Sequence, residues 1–252
     1  MIEIKNISKS FSGRKVIDDI SFILHAGKTN LIIGESGSGK TTILKMMVGL
    51  FSIDNGKIIY DNLVFNELSE KQRQDFRKDI GMLFQGGALF DSMTVEENLA
   101  FPLKMFTNYS EKEISERVNF CLGKVRLQNV NNLYPAELSG GMKKRAALAR
   151  AISSNPKYLF CDEPNSGLDP KTSIVIDELI HELTVEFNMT TVVITHDMNS
   201  VIQIGENVMF LYQGKKWWEG DNKTILSADN KELLDFVYAA DFFKRKNPNT
   251  NL

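Results

Sequence analysis

Apolar and polar positions alternate through IEIKNISKSF, and after the polar break SGRK the run VIDDISFIL follows, so residues 2–24 are predicted to be antiparallel strands. TNLII is then a continuous apolar run of the kind a buried strand presents. KTTILKMMVGL carries helical spacing at Ile43, Met46, Met47 and Leu50, giving strand, loop, helix. GKIIYDNLVF reads as a further hairpin. Ser69 and Gln72 form a capping-box pattern ahead of a short charged helix, and IGMLFQ (80–85) reads as a core strand ending at Gln85. Two more capping boxes, Thr94 with Glu97 and Ser110 with Glu113, announce two helices, the second with apolar Ile114, Val118, Cys121, Leu122 and Val125. Residues 87–138 are therefore expected to form an inserted, mostly helical lobe. KYLFCDEP and TTVVITHD are apolar runs ending in polar residues, the form of parallel strands buried on both faces with functional groups at their carboxyl ends, so the core resumes by residue 158.

Towards the C-terminus, GKKWWEG reads as one arm of a hairpin in which Trp217 and Trp218 pack. From Asp229, with Glu232 completing an acidic capping pattern, Leu233, Phe236, Val237 and Ala240 make a helical apolar stripe. The polar tail KRKNPNTNL is expected to be disordered. The expected organisation is one domain over 1–228 and a C-terminal helix and tail over 229–252.

Composition narrows the partners. Of 252 residues, 42% are hydrophobic and 25% charged, which is ordinary globular usage. Thirty Lys+Arg against 32 Asp+Glu leave a net charge of −2, so no global field recommends nucleic acid. Cys121 and Cys161 lie in apolar contexts without metal-ligand or redox spacing, so buried, reduced thiols in a cytosolic protein are expected. No apolar stretch reaches the roughly 20 residues needed to cross a bilayer, and MIEIKNISKS lacks a signal-peptide centre. Work at a membrane would have to borrow another chain's helices.

The candidate chemistry starts at residues 34–42, GESGSGKTT, which carry G-x-x-x-x-G-K-[ST] after a strand and before a helix. Glycines at 34, 37 and 39 let successive backbone N–H groups face an anion. Lys40 neutralises outer phosphates and the Thr41 hydroxyl suits Mg²⁺. Asp162 and Glu163, after the strand YLFC, can divide metal support and water activation between them. Gln85 and His196, alone, are ambiguous between structural and catalytic roles. LSGGM places Ser139, Gly140 and Gly141 at the start of the helix-forming MKKRAALARAI, a second anion site backed by a helix dipole. The two cradles could hold separate ligands; one γ-phosphate held between two copies of the chain is the simpler arrangement.

GESGSGKTT, Gln85, LSGGM, YLFCDEP, SGLDP and His196, in this order, resemble the nucleotide-binding subunit of ATP-binding cassette (ABC) transporters over residues 1 to about 225. The resemblance implies an α/β P-loop NTPase fold of ABC type, with a RecA-like core, an N-terminal antiparallel β-subdomain and an inserted helical subdomain. It implies ATP and Mg²⁺ as ligands, and a homodimer that sandwiches them. Gly34, Ser36, Gly37, Ser38, Gly39, Lys40, Thr41 and Thr42 would hold phosphate, with Thr41, Gln85 and Asp162 at the metal. Lys40, Gln85, Glu163 and His196 would serve catalysis, Glu163 polarising water and His196 contacting the γ-phosphate. Ser139, Gly140 and Gly141 would close over the partner copy's nucleotide, and Asp169 would cross the interface. Phe11 would stack on adenine beside Val16, keeping the aromatic face of the family's usual tyrosine without its hydroxyl.

Met142 stands where most of the family has glutamine, and FQGGALFDSMTVEENLAFPL with LSGGMKKRAALARAI resembles the Mla (maintenance of lipid asymmetry) phospholipid transporters and their MCE-linked relatives. That likeness implies an MlaE-like integral-membrane permease, an MlaD-like MCE-domain protein, a small STAS-type accessory subunit as a further partner, and a place on the cytoplasmic face of the inner membrane. Phe84, Leu89, Phe90, Met93, Phe101, Met105 and Phe106 fit either the lobe's core or an apolar groove for a coupling helix. An importer or exporter of another substrate, or an ABC ATPase acting on nucleic acid or ribosomes, is the alternative.

Overall fold

The computed structural model describes residues 1–239, so Ala240 and the polar tail lie outside the described residues. The chain forms two compact units, one of Met1–His25, Thr29–Glu67 and the described residues from Ile194 onward, the other of Ala26–Lys28 and Leu68–Val193.

The first unit opens with β1 (Ile2–Phe11) and β2 (Arg14–Leu24), antiparallel as expected, with Ile2 opposite Leu24 and Ile4 opposite Phe22. The strand period of two turns Ile2 and Ile4, and Ile20, Phe22 and Leu24, into the core, and an irregularity at Asp19, φ +53°, brings Ile17 to the same side. β3 (Thr29–Ile33) is buried at every position and runs into the P-loop and α1 (Lys40–Met47). The helix stops short of the predicted Leu50, because Gly49 turns to φ +77° and leaves Leu50 61% exposed. β4 (Asn55–Tyr60) and β5 (Leu63–Val64) complete a sheet of order β2-β1-β4-β5.

In the second unit, Ser69 and Gln72 form the expected capping box of α2 (Glu70–Phe76). β6 (Ile80–Leu83) follows. It ends two residues before Gln85, which corrects the expected strand end: Phe84 and Gly87 close a turn, with the Gly87 N–H donating to Phe84 O at 2.8 Å. Both capping boxes of α3 (Val95–Phe106) and α4 (Glu111–Lys124) are present, and all five apolar positions expected on the second are buried. α5 (Gly140–Ile152) packs on α3 and α4, so this helical cluster extends beyond 138. β7 (Tyr158–Asp162) is parallel to β6 and is followed by α6 (Pro170–Glu186) and β8 (Thr190–Thr195), a fully buried strand that lies beside β7 and whose last two residues belong to the first unit.

The first unit resumes with α7 (Met198–Ile204), β9 (Asn207–Tyr212) and β10 (Lys215–Gly220). β9 pairs parallel with β3, and β10 pairs antiparallel with β9. The closing α8 (Lys231–Ala239) buries Leu233 and Val237 and sets Phe236 against Phe210 at 5.4 Å between ring centroids. Its cap is Asn230 rather than the expected Asp229: Asn230 Oδ1 accepts the Leu233 N–H at 2.9 Å, while Glu232 accepts from Trp217 Nε1 at 3.1 Å. Trp217 packs on Tyr212 at 5.6 Å between ring centroids while remaining 44% exposed. Among the described residues no helix is long and apolar enough to cross a membrane.

Candidate nucleotide site and its two halves

The P-loop half is built by β3 and α1. Gly34 must be glycine: its φ is +149° and a Cβ there would meet Leu211 O at 2.3 Å. Gly39, at φ +110°, sits directly on β2, where a Cβ would lie 2.6 Å from Ile17 Cδ1 and 3.3 Å from Val16 O. That contact seats Val16 at the loop. Lys40 is buried, and its Nζ donates to the carbonyls of Gly34 (2.8 Å) and Glu35 (2.9 Å), folding the ammonium back across the loop. Ser36 and Gly37 are exposed, and the Ser38 hydroxyl is buried without a hydrogen-bond partner. A loop with an ammonium held at its mouth and an orphaned hydroxyl inside is suited to a phosphate anion. Thr41 and Thr42 occupy the first turn of α1, where backbone N–H groups lack intrahelical partners.

Also in this unit, Phe11 is 39% exposed at the end of β1, its edge on Phe51 (5.3 Å) and the Lys9 ammonium 5.4 Å from its centroid. An aromatic face is thus available to a base. His196 follows β8 and is exposed; the next residue, Asp197, caps α7 through the Asn199 N–H at 2.9 Å.

The second unit carries a further group of candidate residues. Gln85 is exposed and its Nε2 donates to Ser166 Oγ at 3.3 Å, while the Ser166 N–H donates to Glu163 O at 3.1 Å. The structure thereby brings Gln85 to the segment that follows Asp162 and Glu163. Glu163 holds φ +47°, a left-handed backbone rare outside glycine, asparagine and aspartate, at the turn that leaves β7. The buried Lys144 donates to the Gln85 carbonyl. Burial lowers its pKa, opposed by attraction to the Cys161 sulfur and the Asp162 and Glu163 carboxylates.

Ser139 caps α5, accepting the Met142 N–H at 3.3 Å, so Ser139, Gly140 and Gly141 do stand at a helix N-terminus. Their turn packs against SGLDP: a Cβ on Gly140 would lie 3.6 Å from Leu168 Cδ2, and one on Gly141 2.6 Å from Thr172 Cγ2. Asp169 is engaged within its own chain. It caps α6 through the Lys171 and Thr172 N–H groups (3.1 Å each) and the Thr172 hydroxyl (2.5 Å), and these bonds, the hydroxyl's first, hold its carboxyl below the usual range. Lys144, Ser166 and Thr172 were absent from the sequence-derived set. For Lys144 the signal was a lysine in register with Ala147 and Ala151 on the buried stripe of α5.

The aromatic residues of the run lie at an exposed groove and not in the core: Phe84, Phe90, Phe101 and Phe106 are 38–42% exposed, while Met105, 60% exposed, lies on the surface outside the groove lining. With Pro102 and Arg150, the four phenylalanines line a cavity of about 370 Å³. Cys121 and Cys161 are buried and free, as expected, and burial pushes the Cys121 thiol up to about 11.

A family model described as ABC transporter matches residues 17–166. The chain belongs to the ABC transporter family. Its fold is that of the ABC ATPase domain, with mixed α/β sheets, and it carries the cassette for which ATP and Mg²⁺ are the ligands. A structure of the ATP-binding cassette MJ0796, dimeric, in a post-hydrolysis state and bound to ADP and Pi, is similar with a TM-score of 0.80 and 32% identity, covering 88% of this chain and 99% of that one. Among ABC relatives, the methionine import ATP-binding protein MetN of Campylobacter jejuni is 37% identical over 100% of this chain and 80% of its own length. The intermembrane phospholipid transport system ATP-binding protein MlaF of Haemophilus influenzae is 36% identical over 94% of this chain and 90% of its own. The probable ribonucleotide transport ATP-binding protein mkl of Mycobacterium tuberculosis is 35% identical over 94% of this chain, which spans 66% of that protein's length.

Proposed function

We propose that this chain hydrolyses ATP as one half of a homodimer and thereby powers phospholipid movement through a separate integral-membrane permease joined to an MCE-domain protein. The observation that carries the reading is the pair of anion cradles in one chain, the Lys40 loop and the Ser139 turn, each on its own unit. Lys40 and the amides of residues 37–42 bind the phosphates. Phe11 and Val16 take the base. Thr41, Asp162 and Gln85 would hold Mg²⁺, which supplies neutralisation of the phosphate charge when bound. Glu163 takes the proton of the attacking water, Gln85 orients that water, and His196 contacts the γ-phosphate. The partner's Ser139–Gly141 turn completes the site, with Asp169 near the dimer seam.

Residues 1–228 act as the ATPase domain. The segment from 229 closes the first unit through α8 in its described part. On this reading the exposed phenylalanine groove receives the permease, with the chain on the cytoplasmic face of the membrane; the exposure of the groove supports docking there. Phospholipid as substrate is supported by the likeness to MlaF and by Met142 within LSGGM. The likeness to MetN, at comparable identity, favours methionine import as a second reading. Purification with the native permease decides between them. Phospholipid bound to the complex, and ATPase stimulated by phospholipid vesicles, supports the first reading; stimulation by methionine supports the second and overturns the first.

A further inference from the structure

Lysine is costly to bury, and at the position of Lys144, 6% exposed on α5, an apolar residue would serve helix packing better unless the ammonium is used. Its Nζ donates to the backbone carbonyl of Gln85 and is drawn to Asp162 and Glu163. The same face of α5 continues along the loop. A Cβ on Gly87 would lie 3.5 Å from Ala147 Cβ, and Arg150 donates to Gly87 O (3.1 Å) and Ala88 O (2.8 Å). From α3, Asn98 grips the loop's far end, accepting the Phe90 N–H at 2.8 Å and donating to Phe90 O at 3.1 Å. The loop is thus held by its backbone at Gln85, Gly87, Ala88 and Phe90, and its Gln85 side chain reaches Ser166, just beyond Glu163.

We propose that Lys144 is a positioning residue for hydrolysis, fastening the Gln85 loop to the helix that begins with the Ser139 turn, so that Gln85, Glu163 and that turn keep one fixed relation. The proposal rests on the ATPase reading above. The ammonium touches no reacting atom; its effect passes through the Gln85 backbone. Loss of the fastening leaves nucleotide binding to the other unit intact and misplaces the water-orienting groups, an error for which rate losses run to about a hundredfold per ångström. Arg150 holds the same loop nearer the apolar groove, so a partner seated there would meet a segment already joined to α5.

The test compares the full chain with Lys144→Met, which keeps the stem but removes charge and donor, and with Lys144→Arg, which keeps both. Lys144→Met is expected to lower kcat about tenfold with KM for ATP within about twofold of the parent, and to speed amide exchange over residues 85–90. Lys144→Arg is expected to recover most of the rate. A Lys144→Met chain with the parent's kcat, or an Arg variant as slow as the Met variant, overturns the proposal. Should Lys144→Met not fold, Lys144→Leu, which likewise carries no donor, replaces it with the same expected readings. Failure of both to fold makes the lysine structural and also overturns the proposal. A parent chain that hydrolyses no ATP removes the ATPase reading itself, whereas a hydrolysing parent with an indifferent Lys144 removes only the positioning role.

Discussion

Glu163 is held in the left-handed region, a conformation that costs a non-glycine residue on the order of 1 kcal/mol and persists where the surroundings fix it, here by the Ser166 N–H on its carbonyl. Glutamine tolerates the same backbone, so Glu163→Gln is expected to fold and bind ATP like the parent while turnover falls by roughly 10²–10⁴, the worth of a positioned general base. Single-turnover hydrolysis beside nucleotide titration checks this, and an unchanged rate would assign the base elsewhere. Gly141 makes a different demand. The Thr172 methyl occupies the space a Cβ would need, so Gly141→Ala is expected to disturb the Ser139–Gly141 turn and slow hydrolysis several-fold. Thr172→Ser deletes that methyl and keeps the hydroxyl that Asp169 accepts, so it should restore the rate in the double variant. The thiols give a reading of burial. With the Cys121 pKa near 11, its thiolate fraction at pH 8 is about 0.1% before access is considered, and Cys161 is pushed higher still. Neither is expected to react with iodoacetamide in the native protein, and both should react once it is denatured.

Elements with strong local signals were legible in the sequence. Period-two alternation marked β1 and β2, and Ser69, Thr94 and Ser110 each start a helix three residues before the Gln or Glu that completes the box. Where tertiary contacts decide, the sequence misled. Leu50 keeps helical spacing, yet Gly49 ends the helix before it. Gln85 lies past its strand because Phe84 and Gly87 form a turn. Asn230 displaces Asp229 as cap because both are capping residues and only packing of α8 chooses between them. The motif residues of the site were readable because phosphate chemistry restricts residue type at fixed spacing. For Lys144 the apolar stripe of α5 signals burial but not its role, because its partner is a backbone carbonyl, and a carbonyl has no letter in the sequence. Asn98 is a case of the same kind. It is fully buried and bonds Phe90, Met93 and Thr94 through their backbones. Asn98→Ala should destabilise the chain by about 1–3 kcal/mol by stranding those groups, as measured by urea unfolding.

At the scale of the whole molecule, each unit carries some of the residues proposed for the chemistry: the phosphate loop, Phe11 and His196 in one, Asp162, Glu163, Gln85 and the Ser139 turn in the other. The phenylalanines that line the groove belong to the second unit, so the proposed docking of the permease and the Ser139 turn fall on the same body. Phe101→Glu, at an exposed phenylalanine of α3 that lines the groove, is expected to abolish co-purification with the permease without changing ATP affinity. Ser139→Arg, which puts bulk into the second cradle, is expected to abolish hydrolysis while a single chain still binds ATP. The most direct test is a structure of the Glu163→Gln chain with Mg-ATP. Two chains are expected, each γ-phosphate lying between the Lys40 loop of one and the Ser139–Gly141 turn of the other. ATP held by one chain, with no second chain's serine-glycine turn near its γ-phosphate, would contradict the account.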